Sequence, residues 1–347
     1  MSYNLHEVII LKRNVLILSL ILSLFTFSAQ AAQRTIARID SFITTGAAES
    51  GGTILFGDSV GNFYAVGASS WTYHDSDASA IGIPAVQGDK VVFAQADGTL
   101  TCLNIGVGAM VWRYSPAFSE SVNDGLNDGA AVGGGLVYAS FTTGEVRAFD
   151  LKNGRVAWTY KAEQGLRTAP AYSGGLVLVG EYNGIFSMLD AKTGERVNGG
   201  GAGGAINTPS VNAGNVYYSA WDGSVHAVQI KDVIPLWDAN VGEPITTAPV
   251  IAGGIIVVQT ANGKVIALSE KDGSILWKYD SQGGDSGIRP SIRGSKIFAG
   301  TGDNRVIVLD AKTGRLVREA GDTHALNTSG STKFYYISEG SALCVEE

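Results

Sequence analysis

Cysteine is almost missing from this chain. Cys102 and Cys344 are the only two in 347 residues, so no disulfide framework holds the fold together. Charge of one sign is not massed anywhere. The formal net charge is −7 and no run of five like charges occurs, which removes the basic surface that nucleic-acid phosphates require. Beyond the first thirty residues no apolar run is long enough to span a bilayer. Histidine is scarce, and His74, His226 and His324 fall in separate parts of the chain without metal-ligand spacing. No G-x-S-x-G elbow, H-E-x-x-H helix, phosphate loop or D-x-D-x-D-G calcium loop is present. Glycine, in contrast, is plentiful at 46 residues, beside only 8 prolines and 45% hydrophobic residues. That balance points to many tight turns rather than to disorder.

The first residues read as an export signal. Lys12 and Arg13 form a basic n-region, residues 15–27 an apolar h-region, and Ala29-Gln30-Ala31 an A-x-A cleavage site. Residues 1–31 are therefore expected to be a signal peptide, and 32–347 a single domain. Loss of Glu7, Lys12 and Arg13 leaves the mature chain at about −8 in formal charge. No Cys sits at the cleavage point, which argues against a lipid anchor. The expectation is a soluble exported protein, periplasmic or secreted, and monomeric.

An internal repeat organises the rest. A turn glycine recurs at Gly61, Gly98, Gly144, Gly184, Gly223, Gly263 and Gly340, with Asn304 as the one replacement. Asn is the next best residue at positive φ. Fourteen residues before these markers stand Ala47, Pro84, Ala130, Pro170, Pro209, Pro249, Pro290 and Leu326, which takes five of the eight prolines. Fourteen residues after them, from the second copy on, stand Trp112, Trp158, Asn198, Trp237, Trp277 and Arg318; the first copy has a shorter path to Trp71. Only Trp221 lies outside this position. A constant Pro-to-Trp interval with variable connections between copies is the behaviour of a rigid four-stranded blade. In the fourth copy, Asn183-Gly184 is a two-residue hairpin signal and Asp190 to Gly194 a longer turn. Eight markers predict an all-β, eight-bladed propeller of four-stranded antiparallel blades. The eighth copy ends before its outer strand. The segment from Thr35 to Asp40 is expected to supply it, closing the ring and removing two sheet edges. Cys102 and Cys344 both fall four residues after a marker, as buried positions in blades two and eight, too far apart to pair.

The pattern A-L-D-x-x-x-G-x-x-x-W is clearest in Ala148-Phe149-Asp150 with Gly154 and Trp158, and in Leu309-Asp310 with Gly314. With its Pro and Gly-Gly turns it resembles the repeat of the pyrroloquinoline-quinone (PQQ) propeller family across essentially all of the mature chain. The resemblance implies that Trp71, Trp112, Trp158, Trp237 and Trp277 dock one blade on the next. Quinoprotein dehydrogenases of that family carry a vicinal cysteine pair and long insertions, and this chain has neither. Its length, blade number and export signal look instead like the BamB-type, non-catalytic propellers of outer-membrane β-barrel assembly. It departs from them in lacking the lipoprotein cysteine. This implies a scaffold for protein partners in the cell envelope, with no cofactor and no catalytic residues. The alternatives are a PQQ-dependent oxidoreductase, or a module binding carbohydrate or another small ligand.

In such blades the connections between copies share one face with the marker turns, so length variation collects there. The longest connection, 115–129, is expected to expose Phe118 and Leu126 as apolar anchors for a partner. The same face holds the channel mouth, with Asp128, Arg167, Thr168, Asn207, Thr247 and Arg289 as candidate ligand-facing residues. Asp58, Asp97, Asp222 and Asp303 read as turn caps.

Overall fold

The computed structural model describes residues 34–76, 78–116, 126, 129–166, 168–320, 323–325, 328–329, 334–338 and 342–346. Strands and turns make up the described chain, in eight antiparallel sheets. We letter the strands A to D from the channel outward. Blade six shows the pattern: Val250–Ala252, Ile255–Gln259, Lys264–Ser269 and Ile275–Asp280, each paired with the next. The marker glycines that join B to C and are described have φ from 78° at Gly263 to 93° at Gly98, and Asn304 takes φ 62°. A side chain with a Cβ is costly in that region, which is why the marker is so regular.

The eighth sheet closes as the sequence predicts. Strand Arg34–Arg38 pairs antiparallel with Ala342–Glu346, so the N-terminal segment is the outermost strand of the C-terminal blade. Thr35 stands opposite Cys344. Strand A of that blade is Thr323–Ala325, which places His324 in a strand. The short strand Thr328–Ser329 leaves blade eight and adds parallel to Ala47 and Ala48 of blade one, a second tie across the closure.

The core is a ring rather than a centre. Eight buried apolar clusters are formed, and each joins two neighbouring blades. Val179 and Leu189 of blade four, for example, pack on Tyr138 and Ala148 of blade three. Cys102 and Cys344 are free and buried in two of these layers, and burial pushes the Cys102 thiol up to about 12. The tryptophans bind the layers at the rim. Trp158 of blade three donates its Nε1–H to the carbonyl of Ala191 in blade four at 3.0 Å. Trp71, Trp112, Trp237 and Trp277 do the same to Ile105, Leu151, Glu270 and Ala311. Each ring lies on a turn glycine of the next blade; a Cβ on Gly194 would come within 2.5 Å of Trp158.

The one interior exception follows from this contact. Blade four carries Asn198 where a Trp is expected, and the turn it would cover in blade five holds Val233 instead of Gly, at φ 52°. Without an indole above it, the position tolerates a branched side chain. Phe186 stacked on Tyr218 at 4.7 Å fills that layer further in.

Candidate functional site

The starts of the A strands converge on a central cavity of about 1000 Å³. Thr45, Thr168, Asn207, Thr247 and Arg289 line it, together with Pro84, Pro170 and Pro209. Most of the polar side chains in this ring are already hydrogen-bonded within the scaffold. Asn207 Nδ2 donates to Ser219 Oγ at 3.1 Å and to the carbonyl of Ile245 at 3.0 Å. Thr247 Oγ1 accepts from the Gln259 N–H at 3.1 Å, and Ser140 Oγ of blade three donates to the carbonyl of Thr168 at 2.6 Å. Thr45, Asn207 and Thr247 are buried. The expected polar ring therefore divides. Thr168 Oγ1 and Arg289 Nε remain buried without a partner among the described residues, while the others hold the scaffold. Asp128 and Arg167 lie outside the described residues, as does Phe118.

A second set of polar residues, missed by sequence reasoning, sits three positions before the marker. Asp58, Gln95, Glu181 and Thr260 each reach the connection that enters their own blade. Gln95 Nε2 donates to Ser76 Oγ at 2.9 Å and to the carbonyl of Ala78 at 2.8 Å. Thr260 Oγ1 donates to Glu243 Oε2 at 3.2 Å, and Lys264 and Asn262 bind the same carboxylate. Asp58 is fully buried and accepts from Ser41, the N–H groups of Val60 and Asn62, Asn62 Nδ2 and Tyr64. Burial alone would raise its pKa, but the bonds from Ser41, Asn62 and Tyr64 outweigh it and hold the carboxyl below its ordinary value. Glu181 is equally buried but accepts only the Gln164 N–H, at 3.0 Å, and its Oε1 has no partner among the described residues. Burial there prevails and pushes the carboxyl up. The residue type changes from blade to blade, which hid the position; a count at fixed offset from the marker would have found it.

His226 is also better connected than the sequence implied. Its Nδ1 lies 2.6 Å from Asp238 Oδ1 and its Nε2 lies 2.8 Å from Ser224 Oγ, with the ring stacked on Tyr218 at 4.7 Å. The order Asp–His–Ser is that of a nucleophilic triad. The hydroxyl proton is committed elsewhere, because Ser224 Oγ donates to Asp222 Oδ1 at 2.5 Å. A serine that donates to a carboxylate is not primed for removal of its proton by the imidazole. Ser224 and His226 are two apart on one strand, and the C–D register sets His226 opposite Asp238. That spacing was the available signal. Among the described residues no group of three His, Cys, Asp or Glu is placed to hold a metal.

The loop face differs from expectation at Leu126. It is 6% exposed, bridges to Phe141 and belongs to the layer between blades two and three, so it is a core residue and not an exposed anchor. The exposed apolar groups on this face are others. Tyr182 and Trp221 stand two positions before the markers of blades four and five, at 56% and 41% exposure. The same position holds Ser59, Ala96, Thr142, Ala261 and Gly302 in other blades. Phe42 and Val60, at blade one, are exposed on the same face.

Comparison with known proteins adds to this geometry. The family model described as outer membrane protein assembly factor BamB matches residues 28–233 and 198–331. Curated proteins of that name are similar. The one from Moranella endobia is 23% identical over 259 residues, covering 67% of this chain and 64% of that protein. The one from Xanthomonas campestris pv. campestris is 30% identical over 258 residues, covering 67% and 61%. The matched region thus spans a little under two thirds of these relatives. The crystal structure of BamB from Moraxella catarrhalis superposes with a TM-score of 0.77 at 20% identity, covering 90% of this chain and 99% of that one. The computationally designed Ika8 protein superposes at 0.73 and 18% identity. A designed ring that matches nearly as well shows that the shape alone selects no function.

Proposed function

Since the chain belongs to the family of the outer membrane protein assembly factor BamB, we propose that it is a non-catalytic scaffold in outer-membrane β-barrel assembly. In this reading it is exported with residues 1–31 removed, works as a single copy and holds a protein partner of the assembly machinery on the loop face. No helix among its described residues is long and apolar enough to cross a membrane. The observation that carries the reading is the pair Tyr182 and Trp221. They are exposed at the same turn position of neighbouring blades, on the face where connections vary. Large aromatic side chains in such a setting are the residues that anchor protein contacts. The commitment of the Ser224 hydroxyl to Asp222 supports a binding role over a hydrolytic one. The test is affinity purification of the tagged protein from intact envelopes. β-Barrel assembly subunits co-purify if the reading is right, and their absence at stoichiometric recovery of the bait overturns it.

A further inference from the structure

The central cavity has one charged side chain among its described lining residues, Arg289, and the partner face makes no use of it. The side chain leaves blade seven just before strand A and leans along the channel wall. Its Nη2 donates to Ser210 Oγ of blade five at 2.7 Å and to the carbonyl of Pro249 in blade six at 2.6 Å. Ser210 Oγ also donates to that carbonyl, at 2.6 Å. A guanidinium has five N–H donors. Here both Nη2 protons are engaged; Nε is buried without a partner among the described residues, and Nη1 makes no hydrogen bond to a described residue. No described residue lining the cavity is a carboxylate. Arg289 is half-buried, and a cation held partly out of water with no carboxylate beside it among the described lining residues favours an anionic partner. Loss of hydration pushes the guanidinium down to about 10, still charged at neutral pH.

We propose that the channel is a binding site for a small organic monoanion whose carboxylate pairs with Arg289. The charge of the site selects a single negative charge, because one guanidinium leaves a second one uncompensated. With both Nη2 protons held by the wall, Nη1 is the donor left for a carboxylate oxygen, in a charge-assisted hydrogen bond. The remaining wall selects the body of the ligand: Pro84, Pro170, Pro209, Ile83 and Tyr172 offer apolar surface. A cavity of about 1000 Å³ is at the upper end of the range for small-molecule pockets. This site is independent of the assembly role, and either can fail without the other.

The test compares isosteric acid and amide pairs on the purified mature protein, hexanoate against hexanamide and benzoate against benzamide, by saturation-transfer NMR and calorimetry. The acids are expected to bind at least about tenfold more tightly than the amides, the cost of an unpaired charge being of that order. Arg289→Gln should abolish the preference while the protein still melts cooperatively. Arg289→Lys, which keeps the charge but not the guanidinium's hold on Ser210 and Pro249, should weaken acid binding and retain the preference in part. Equal binding of acid and amide to the unmodified protein overturns the proposal, whatever the variants do. An unchanged preference in a folded Arg289→Gln protein overturns it as well.

Discussion

Trp158 and Trp221 are the same residue put to opposite uses. Trp158 lies on the rim, 8% exposed, with its N–H on Ala191 and its ring on Gly194 of the next blade. Trp221 lies on the turn face and is 41% exposed. Four more tryptophans repeat the first arrangement, and none repeats the second. At the rim, tryptophan is spent on holding blades together. On the turn face, Tyr182 and Trp221 are partly exposed, and under the proposed function that is where a partner is held. The two regions should therefore respond oppositely to mutation: the rim in stability, the turn face in binding.

The largest effect on the scaffold side is expected from the closure. Deleting residues 34–38 removes the outer strand of blade eight and leaves Ala342–Glu346 as an open edge, beside the apolar layer of Leu343 and Val345. The melting temperature should fall by about 10 °C or more, since several kcal/mol are lost and each is worth about 2–4 °C at this size. An unchanged melt would mean that the strand contributes nothing. Next comes the rim itself. Trp158→Ala should cost about 3–5 kcal/mol in denaturant unfolding, and a loss under about 1 kcal/mol would place the ring outside the core.

A smaller effect separates two carboxylates at the same repeat position. Asp58, held below its ordinary value by its donors, contributes stability that is present above about pH 4 and lost as the pH falls through its folded value. Glu181 has the opposite sign. Its folded value is raised, so its contribution is full below about pH 4.5 and disappears as the pH rises through the folded value. At pH 7, Asp58→Asn should destabilise by about 1–2 kcal/mol, while Glu181→Gln should be neutral or stabilise by about 1 kcal/mol. The benefit of Glu181→Gln should shrink on acidification. Gln95 already donates both amide protons at this position in blade two, with its Oε1 buried and unpartnered among the described residues. A pH series of chemical melts checks both signs, and parallel curves for the two variants would contradict the assignment.

The same contrasts separate what the amino-acid sequence displays from what only the folded chain displays. The blades were legible because their constraints fall on rare residues at fixed offsets. Positive φ demands Gly or Asn at the marker, and the indole demands Gly beneath it. The closing strand was legible because the eighth copy lacked its last strand and the segment after the leader had no partner. Leu126 was misjudged for a physical reason. A long polar connection looks solvated, yet its one leucine folds back on Phe141 and leaves water. The residues before the marker escaped notice because a hydrogen-bonding task, unlike a steric one, is met by Asp, Gln, Glu or Thr alike. The contacts of Arg289 with Ser210 and Pro249 cross two blade boundaries, which no local pattern encodes.

Under the proposed function the turn face around Tyr182 and Trp221 holds a partner and the rim does not. Replacing both with serine should change unfolding free energy by less than about 0.5 kcal/mol, as for surface positions generally. The decisive measurement is quantitative affinity purification from intact envelopes with this double variant, beside the unmodified protein. The account predicts that the variant folds normally and loses at least about tenfold of the co-purified assembly subunits, as expected when anchoring aromatics are removed. Undiminished recovery of those subunits with the double variant would contradict it.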